Sequence, residues 1–118
     1  MTIHEIARAF TAACAEGRDA DAQAFWADDV VSVEAMSGPM ARAEGREALL
    51  AKARWWHENH EIHGVTVEGP WPNGDQFAVK FWMDVTPKGA ARMQMDEIGL
   101  YTVRDGRIVE ERFFYVTE

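Results

Sequence analysis

Glu97, Tyr101, Glu110 and Arg112, groups able to do acid–base chemistry, lie in one short stretch of this chain, Met93–Tyr115, MQMDEIGLYTVRDGRIVEERFFY. Asp105-Gly106 lies between two runs of strand-forming residues, which is the signal of a tight hairpin. With those two residues as the turn, Val103 is expected opposite Ile108, Tyr101 opposite Glu110, Gly99 opposite Arg112 and Glu97 opposite Phe114. Side chains alternate along a strand, so Glu97, Tyr101, Glu110 and Arg112 are expected on one face. A carboxylate on a half-buried face can act as a general base if burial raises its pKa toward neutrality and a substrate proton lies in reach. A phenol or guanidinium beside it can orient a carbonyl. The same residues also fit a structural ion-pair cluster, because burying any one of them alone is costly.

Glu34 ends the segment VVSVEA and is a second candidate base; the alternative is an exposed carboxylate or one paired with Arg42 or Arg46. Trp55-Trp56-His57-Glu58-Asn59-His60-Glu61-Ile62-His63 is the other unusual stretch. A zinc-binding helix needs histidines four apart with the glutamate between them. These lie three apart across a helix end, so their side chains should diverge and no metal is expected. His57 or His60 is expected near a pocket mouth with Trp56 as aromatic neighbour, since imidazole suits proton shuttling. An ordinary polar helix C-terminus is the competing reading. His4, in a first helical turn, reads as surface. There is no Gly-rich phosphate loop and no nucleophile elbow, and nothing suggests a nucleotide, flavin or haem, so no cofactor is expected.

The chain has 118 residues, and one domain spanning 1–118 is expected. Five Trp, six Phe and two Tyr exceed what a minimal core needs and point to a large core, an interface or an apolar pocket. The formal charge of −8 argues against nucleic acid and against anionic lipid as partners. The single cysteine, Cys14, allows no intramolecular disulfide and falls on an apolar helical stripe, so it reads as a small buried hydrophobe. No signal peptide and no membrane span is read, and a cytoplasmic protein is expected.

Positioning these groups requires particular elements. Thr2 and Glu5 form a capping-box pattern, and Ile3, Ile6, Ala7, Phe10, Ala13 and Cys14 repeat at helical spacing up to Gly17. A second helix from Asp19 or Asp21 is expected to carry Phe25 and Trp26 inward and to close at Asp28-Asp29. Val30–Ala35 is a strand by β-branched content. Met40–Glu44 reads as a loop. A third helix runs from about Gly45 to Asn59, with Leu49, Ala53 and Trp56 on one stripe. Strands follow over Glu61–Gly69, Gln76–Thr86 and the two arms of the terminal hairpin, with turns at Asn73-Gly74 and Pro87–Ala91. The fold class is α+β, in the order ααβαββββ: three N-terminal helices packed on a strongly curved mixed or antiparallel sheet, a cone with an internal cavity.

Along this order stand Phe25-Trp26-Ala27-Asp28-Asp29-Val30-Val31, Gly45-Arg46-Glu47-Ala48-Leu49-Leu50 and Arg104-Asp105-Gly106-Arg107-Ile108-Val109-Glu110-Glu111. With these motifs in place the chain resembles the SnoaL-like group of the nuclear-transport-factor-2-like superfamily. The resemblance implies a homodimer, often built on the outer sheet face, and a deep pocket between sheet and helices. It does not imply one function, since members resemble cyclases, isomerases, dehydratases, hydrolases and binding domains. Aligned with ketosteroid isomerase, a relative in this superfamily, Glu34 falls at the general base, Phe10 at an oxyanion-hole tyrosine and Gly99 at the protonated aspartate. The base position keeps a carboxylate and both donor positions are empty, so steroid isomerisation of that design is rejected.

The expected function is therefore a pocket for a small hydrophobic carbonyl or hydroxyl compound, with cofactor-free acid–base chemistry of the isomerase, cyclase or dehydratase type. Glu34, Glu97 and His57 are the candidate catalytic residues. Tyr101, Arg112, Glu110, Trp56, His60 and Phe10 are the candidate substrate contacts. The alternative is a non-catalytic ligand-binding or dimerisation domain. Ile98, Leu100, Val109, Phe113 and Tyr115 are expected on the outer face as the homodimer surface, since so much apolar surface rarely stays wet.

Overall fold

The computed structural model of the chain describes residues 1–116. Helix α1, Ile3–Ala15, starts at the expected capping box: the Glu5 N–H donates to Thr2 Oγ1 at 3.1 Å and the Thr2 N–H donates to Glu5 Oε1 at 2.9 Å. Its buried stripe is Ile6, Ala7, Phe10 and Ala13. Helix α2 is only Asp19–Gln23, shorter than expected. Trp26 is not its last inward residue but the first residue of strand β1, Trp26–Val33. The segment between them is held by the start of the last strand: the Ile108 N–H donates to the Phe25 carbonyl at 2.8 Å, and the Arg107 guanidinium to that of Ala24 at 2.8 Å. Asp28-Asp29 lies within a register irregularity of β1 rather than at a helix end.

Part of the expected loop is a short strand, β2, Arg42–Glu44, antiparallel to β1. The observed order is thus ααββαββββ. Helix α3 is Arg46–Asn59, followed directly by β3, His60–Asn73. The third strand does not stop at Gly69; it shifts register between Glu68 and Trp71 and continues to the Gly74 turn. Strands β4, Gln76–Pro87, β5, Met93–Arg104, and β6, Arg107–Phe114, complete the sheet.

The six strands form one curved sheet in the order β2-β1-β6-β5-β4-β3. All neighbours are antiparallel except β1 and β6, which run parallel. The helices cover its concave face, and Phe10, Leu49, Phe77, Val79, Tyr101 and Ile108 form the centre of the core between the layers. No helix among the described residues is long and apolar enough to cross a membrane.

The terminal hairpin turns where expected: Asp105 has φ +53° and Gly106 φ +76°, the left-handed pair of a two-residue turn, with Arg104 opposite Arg107. Val103 then pairs with Ile108, also as expected. Beyond that pair the ladder slips by one residue, so that Thr102 faces Glu110, Tyr101 faces Glu111 and Gly99 faces Phe113. Val109 is the extra residue of a bulge. A one-residue slip sends every later side chain to the opposite face. Glu110 and Arg112 therefore leave the concave face and pair with each other at 3.1 Å, half-buried on the convex side. Glu111 and Phe113 take their places. The expected convex set is corrected by the same bulge: Ile98 and Leu100 keep their positions, but Phe113 faces inward and Tyr115 hydrogen-bonds to Glu34.

Candidate functional site

Between the helices and the concave face lies a cavity of about 450 Å³ with mostly apolar walls. Phe10 from α1, Trp26 from β1, Trp55 and Trp56 from α3, Tyr101 from β5 and Phe113 from β6 line it. Phe10 meets Tyr101 at 4.7 Å between ring centroids, and Tyr101 stacks on Phe77 at 5.1 Å. These contacts hold the Tyr101 ring rigid, at 2 % exposure.

Four ionisable groups converge inside: Glu34, Lys52, Glu97 and Glu111. Alternation explains two of them. Val30, Ser32 and Glu34 share the concave face of β1 and the residue after it; Glu97, Gly99 and Tyr101 share that of β5. The bulge brings Glu111 to the same side. Lys52 sits on α3 one turn from Leu49 and one turn from Trp56, on the stripe that turns inward.

All but Glu97 are joined in a chain. Lys52 Nζ forms an ion pair with Glu34 Oε1 and donates to Ser32 Oγ at 2.8 Å. Ser32 Oγ donates to Glu111 Oε2 at 2.7 Å. The Tyr115 hydroxyl donates to Glu34 Oε2 at 2.8 Å. Both oxygens of Glu34 are thus engaged, and its partners are neither Arg42 nor Arg46. Arg42 pairs with Glu44 at 2.8 Å, and Arg46 donates to the Gln23 carbonyl at 2.6 Å, pinning the end of α2.

Glu97 has no such partner among the described residues. Burial, followed by the neighbouring charge of Glu34, pushes its carboxyl up to about 7, against a smaller opposing pull from Lys52. Burial likewise raises the Glu111 carboxyl, in spite of the Ser32 hydrogen bond. Burial raises the Tyr101 phenol well above its usual value, so it stays a donor; no described side chain bonds to its hydroxyl. Burial first, and then the hydrogen bond to Glu34, raises Tyr115 to about 12. Cys14 lines the cavity as a thiol pushed up to about 12, chiefly by burial, which fits its reading as a small hydrophobe.

The structure sorts the expected site residues. Glu34, Glu97, Tyr101, Trp56 and Phe10 all line the cavity. His57 stands at its rim, half exposed, with Nε2 3.3 Å from Asp19 Oδ2 across the gap between α3 and α2. His60 does not reach it. It stacks on Trp56 at 3.7 Å, its Nδ1 2.9 Å from the Trp56 carbonyl, and lines a separate depression with Lys88. It begins β3, and the change from helix to strand turns it away. Glu110 and Arg112 are excluded by the bulge. His63 bonds to Thr86 at 2.7 Å, so the three histidines diverge.

Ser32, Lys52 and Glu111 are not singled out by the sequence. For Ser32 a signal exists, since a strand that places Glu34 inward places Ser32 inward too. A lysine within the Leu49–Trp56 stripe is a comparable signal. Nothing local marks Glu111, because its face depends on the bulge.

Comparison with known proteins agrees with this architecture. The family model of the SnoaL-like domain matches residues 1–115. A Mesorhizobium loti structure whose name proposes a SnoaL-like polyketide cyclase, with carbohydrate phosphatase in brackets, is 57 % identical. The match covers 98 % of this chain and 100 % of that one, with a TM-score of 0.94. A proposed isomerase from Bacillus subtilis shares 20 % identity over 98 % of this chain and 90 % of the other, with a TM-score of 0.77. An NTF2-like protein from Burkholderia xenovorans shares 21 % identity over 98 % and 84 %, with a TM-score of 0.73. At that identity these two establish the fold alone. No curated protein matches the chain. The matched family model and the 57 % identical structure place this chain in the SnoaL-like family, within the nuclear-transport-factor-2-like superfamily.

Proposed function

We propose that the protein is a cofactor-independent acid–base enzyme of the isomerase, cyclase or dehydratase type, acting on a small hydrophobic carbonyl or hydroxyl compound in this cavity. One observation carries the reading: Glu97, a buried carboxyl without a hydrogen-bond donor, shares an aromatic cavity with the unpartnered phenol of Tyr101. A carboxyl near neutrality is matched to proton transfer at physiological pH. In this mechanism Glu97 takes the proton from the carbon beside the carbonyl, and the Tyr101 hydroxyl donates to the developing enolate oxygen. Glu97 then returns the proton at a second carbon, or the enolate closes on a second carbonyl and Glu97 gives its proton to the alkoxide so formed. The polyketide-cyclase name proposed for the Mesorhizobium loti relative belongs to this reaction class. Glu34 acts indirectly, as its charge raises Glu97. His57 at the rim relays protons to solvent.

The test is deuterium incorporation next to the carbonyl of a panel of small aromatic ketones, followed by NMR in heavy water. Wild type should exchange faster than buffer, and Glu97→Gln should lose about a hundredfold or more of that rate. Exchange no faster than buffer across the panel, or unchanged in Glu97→Gln, overturns the proposal.

Binding without turnover is a second reading. Lys52 and Tyr115 occupy both oxygens of Glu34, as expected of a carboxylate that only shapes a pocket. A homodimer through the convex face fits either reading, now with Trp82 and Phe114 beside Ile98 and Leu100. Trp82 is 37 % and Phe114 48 % exposed in the single chain. Sedimentation of a stable monomer would exclude it.

A further inference from the structure

The hydrogen-bonding capacity left over in the cavity is unevenly distributed. Among the described residues its one cation is committed: Lys52 is paired with Glu34, donates to Ser32 and lies 5.3 Å above the Phe113 ring. No cationic donor on these walls is left for an anionic ligand. On the acceptor side, Glu97 is unpartnered and Glu111 has given one oxygen to Ser32. Two neutral donors remain: the Tyr101 hydroxyl, on a side chain 2 % exposed and without a side-chain partner, and the buried indole N–H of Trp26, which is also unpartnered. The walls are rich in aromatic rings, whose faces attract a cation.

A carboxylate or phosphate entering here would lose its water, meet three carboxyl groups and find the ammonium already occupied. A protonated amine would find two carboxyls without a cationic partner and a surround of aromatic rings. We infer that the cavity takes a ligand bearing a protonated amine, seated between Glu97 and Glu111, and refuses ligands that carry a carboxylate or phosphate. This rests on the reading of the cavity as a small-molecule site and adds the charge class of its ligand. The Tyr101 hydroxyl is left for an oxygen on the same ligand.

The amine would hold both carboxyls ionised, so binding should release protons. The groups facing that seat are Glu34 after β1, Lys52 on α3, Tyr101 on β5 and Glu111 on β6, with His57 and Asp19 at the rim. Lys52 and Glu34 form a fixed pair, and Tyr101 stays neutral. The pH dependence near neutrality then comes from Glu97, and the raised Glu111 acts in the same direction.

The experiment is calorimetric titration of the intact protein with three probes of similar size: 2-phenylethylamine, 2-phenylethanol and phenylacetate. The amine should bind tightest, the alcohol more weakly and phenylacetate not measurably. Amine affinity should rise about tenfold from about pH 6 to about pH 8, whereas that of the alcohol stays flat or falls. Glu111→Gln keeps a partner for Ser32 and should weaken the amine about tenfold while sparing the alcohol. Alcohol or phenylacetate binding as tightly as the amine, or amine affinity that falls with rising pH, overturns this inference and leaves the acid–base proposal standing. If none of the three binds, the small-molecule reading of the cavity fails as well. The wild-type pH series needs no variant, so a poorly folding Glu111→Gln does not rescue the idea.

Discussion

The hydroxyl of Tyr101 stands 2.8 Å from the point where Gly99 would carry a Cβ, and two carbons of its ring, Cε2 and Cζ, stand at 2.9 and 3.0 Å. Gly99 is bare because Tyr101 lies over it. In the alignment with ketosteroid isomerase the acid of the oxyanion hole falls at Gly99, and here a phenol from two residues further along the same strand fills that space. By sequence the position reads as an empty donor site, and Tyr101 reads as a separate candidate contact rather than as the group that fills it.

Gly99→Ala should therefore be costly although its backbone conformation is ordinary. The Tyr101 ring is stacked on Phe77 and packed on Phe10, so it cannot swing aside. Overpacking of this kind costs about 1–3 kcal/mol. Denaturant unfolding should show a lower midpoint with an unchanged slope, and Gly99→Ala combined with Tyr101→Ala should recover part of the loss relative to Tyr101→Ala alone.

Stability should carry the signature of Glu97. Its pKa in the folded protein, about 7, lies above the unfolded value near 4.5. Its contribution is full below pH about 4.5, declines as pH rises through about 7 and is then lost, a change on the order of 3 kcal/mol. Glu97→Gln removes that dependence. The difference in unfolding free energy between variant and wild type, followed by urea titration across this window, should shift in favour of the variant as pH rises. A parallel pair of curves would contradict a buried, unpaired Glu97.

Lys52 is the only cation among the described residues that faces the three carboxyls of the cavity. Lys52→Met keeps the unbranched stem of the side chain, one atom shorter, and removes its charge. Breaking one side of a buried ion pair costs about 3–5 kcal/mol. The loss should be greatest above neutrality, where Glu97 is ionised, and should shrink in acid as Glu97 takes up a proton. Thermal unfolding of the variant at several pH values measures this.

Neither tyrosine should titrate in its usual range. The chain has two. Burial holds Tyr101 well above the ordinary phenol value, and burial with the Glu34 bond lifts Tyr115 to about 12. An ultraviolet titration of the folded protein should show no phenolate below pH about 11, and both groups should titrate normally, near pH 10, in denaturant.

Much of the architecture is local and can be read along the chain. The Thr2–Glu5 box marks α1, the apolar stripe marks α3, and two residues that tolerate left-handed backbone mark the Asp105-Gly106 turn. Alternation along β5 is enough to place Glu97 and Tyr101 together inward, because that period is a property of the strand itself. Glu34 is legible for the same reason. What tertiary structure decided was pairing. One unpaired residue at Val109 reversed the faces of β6 beyond Ile108, exchanging Glu110 and Arg112 for Glu111 and Phe113. A bulge is set by how two strands twist and pack across the sheet, not by the composition of either. The parallel seam between β1 and β6, which brings Ser32 to Glu111 across 79 positions of chain, has the same origin. So does the meeting of Lys52 with Glu34, since a helix stripe shows which side faces in but not what lies opposite. Side-chain type and period belong to the sequence by itself; a cavity's charge balance is a sum over elements that meet only when the sheet closes under its helices.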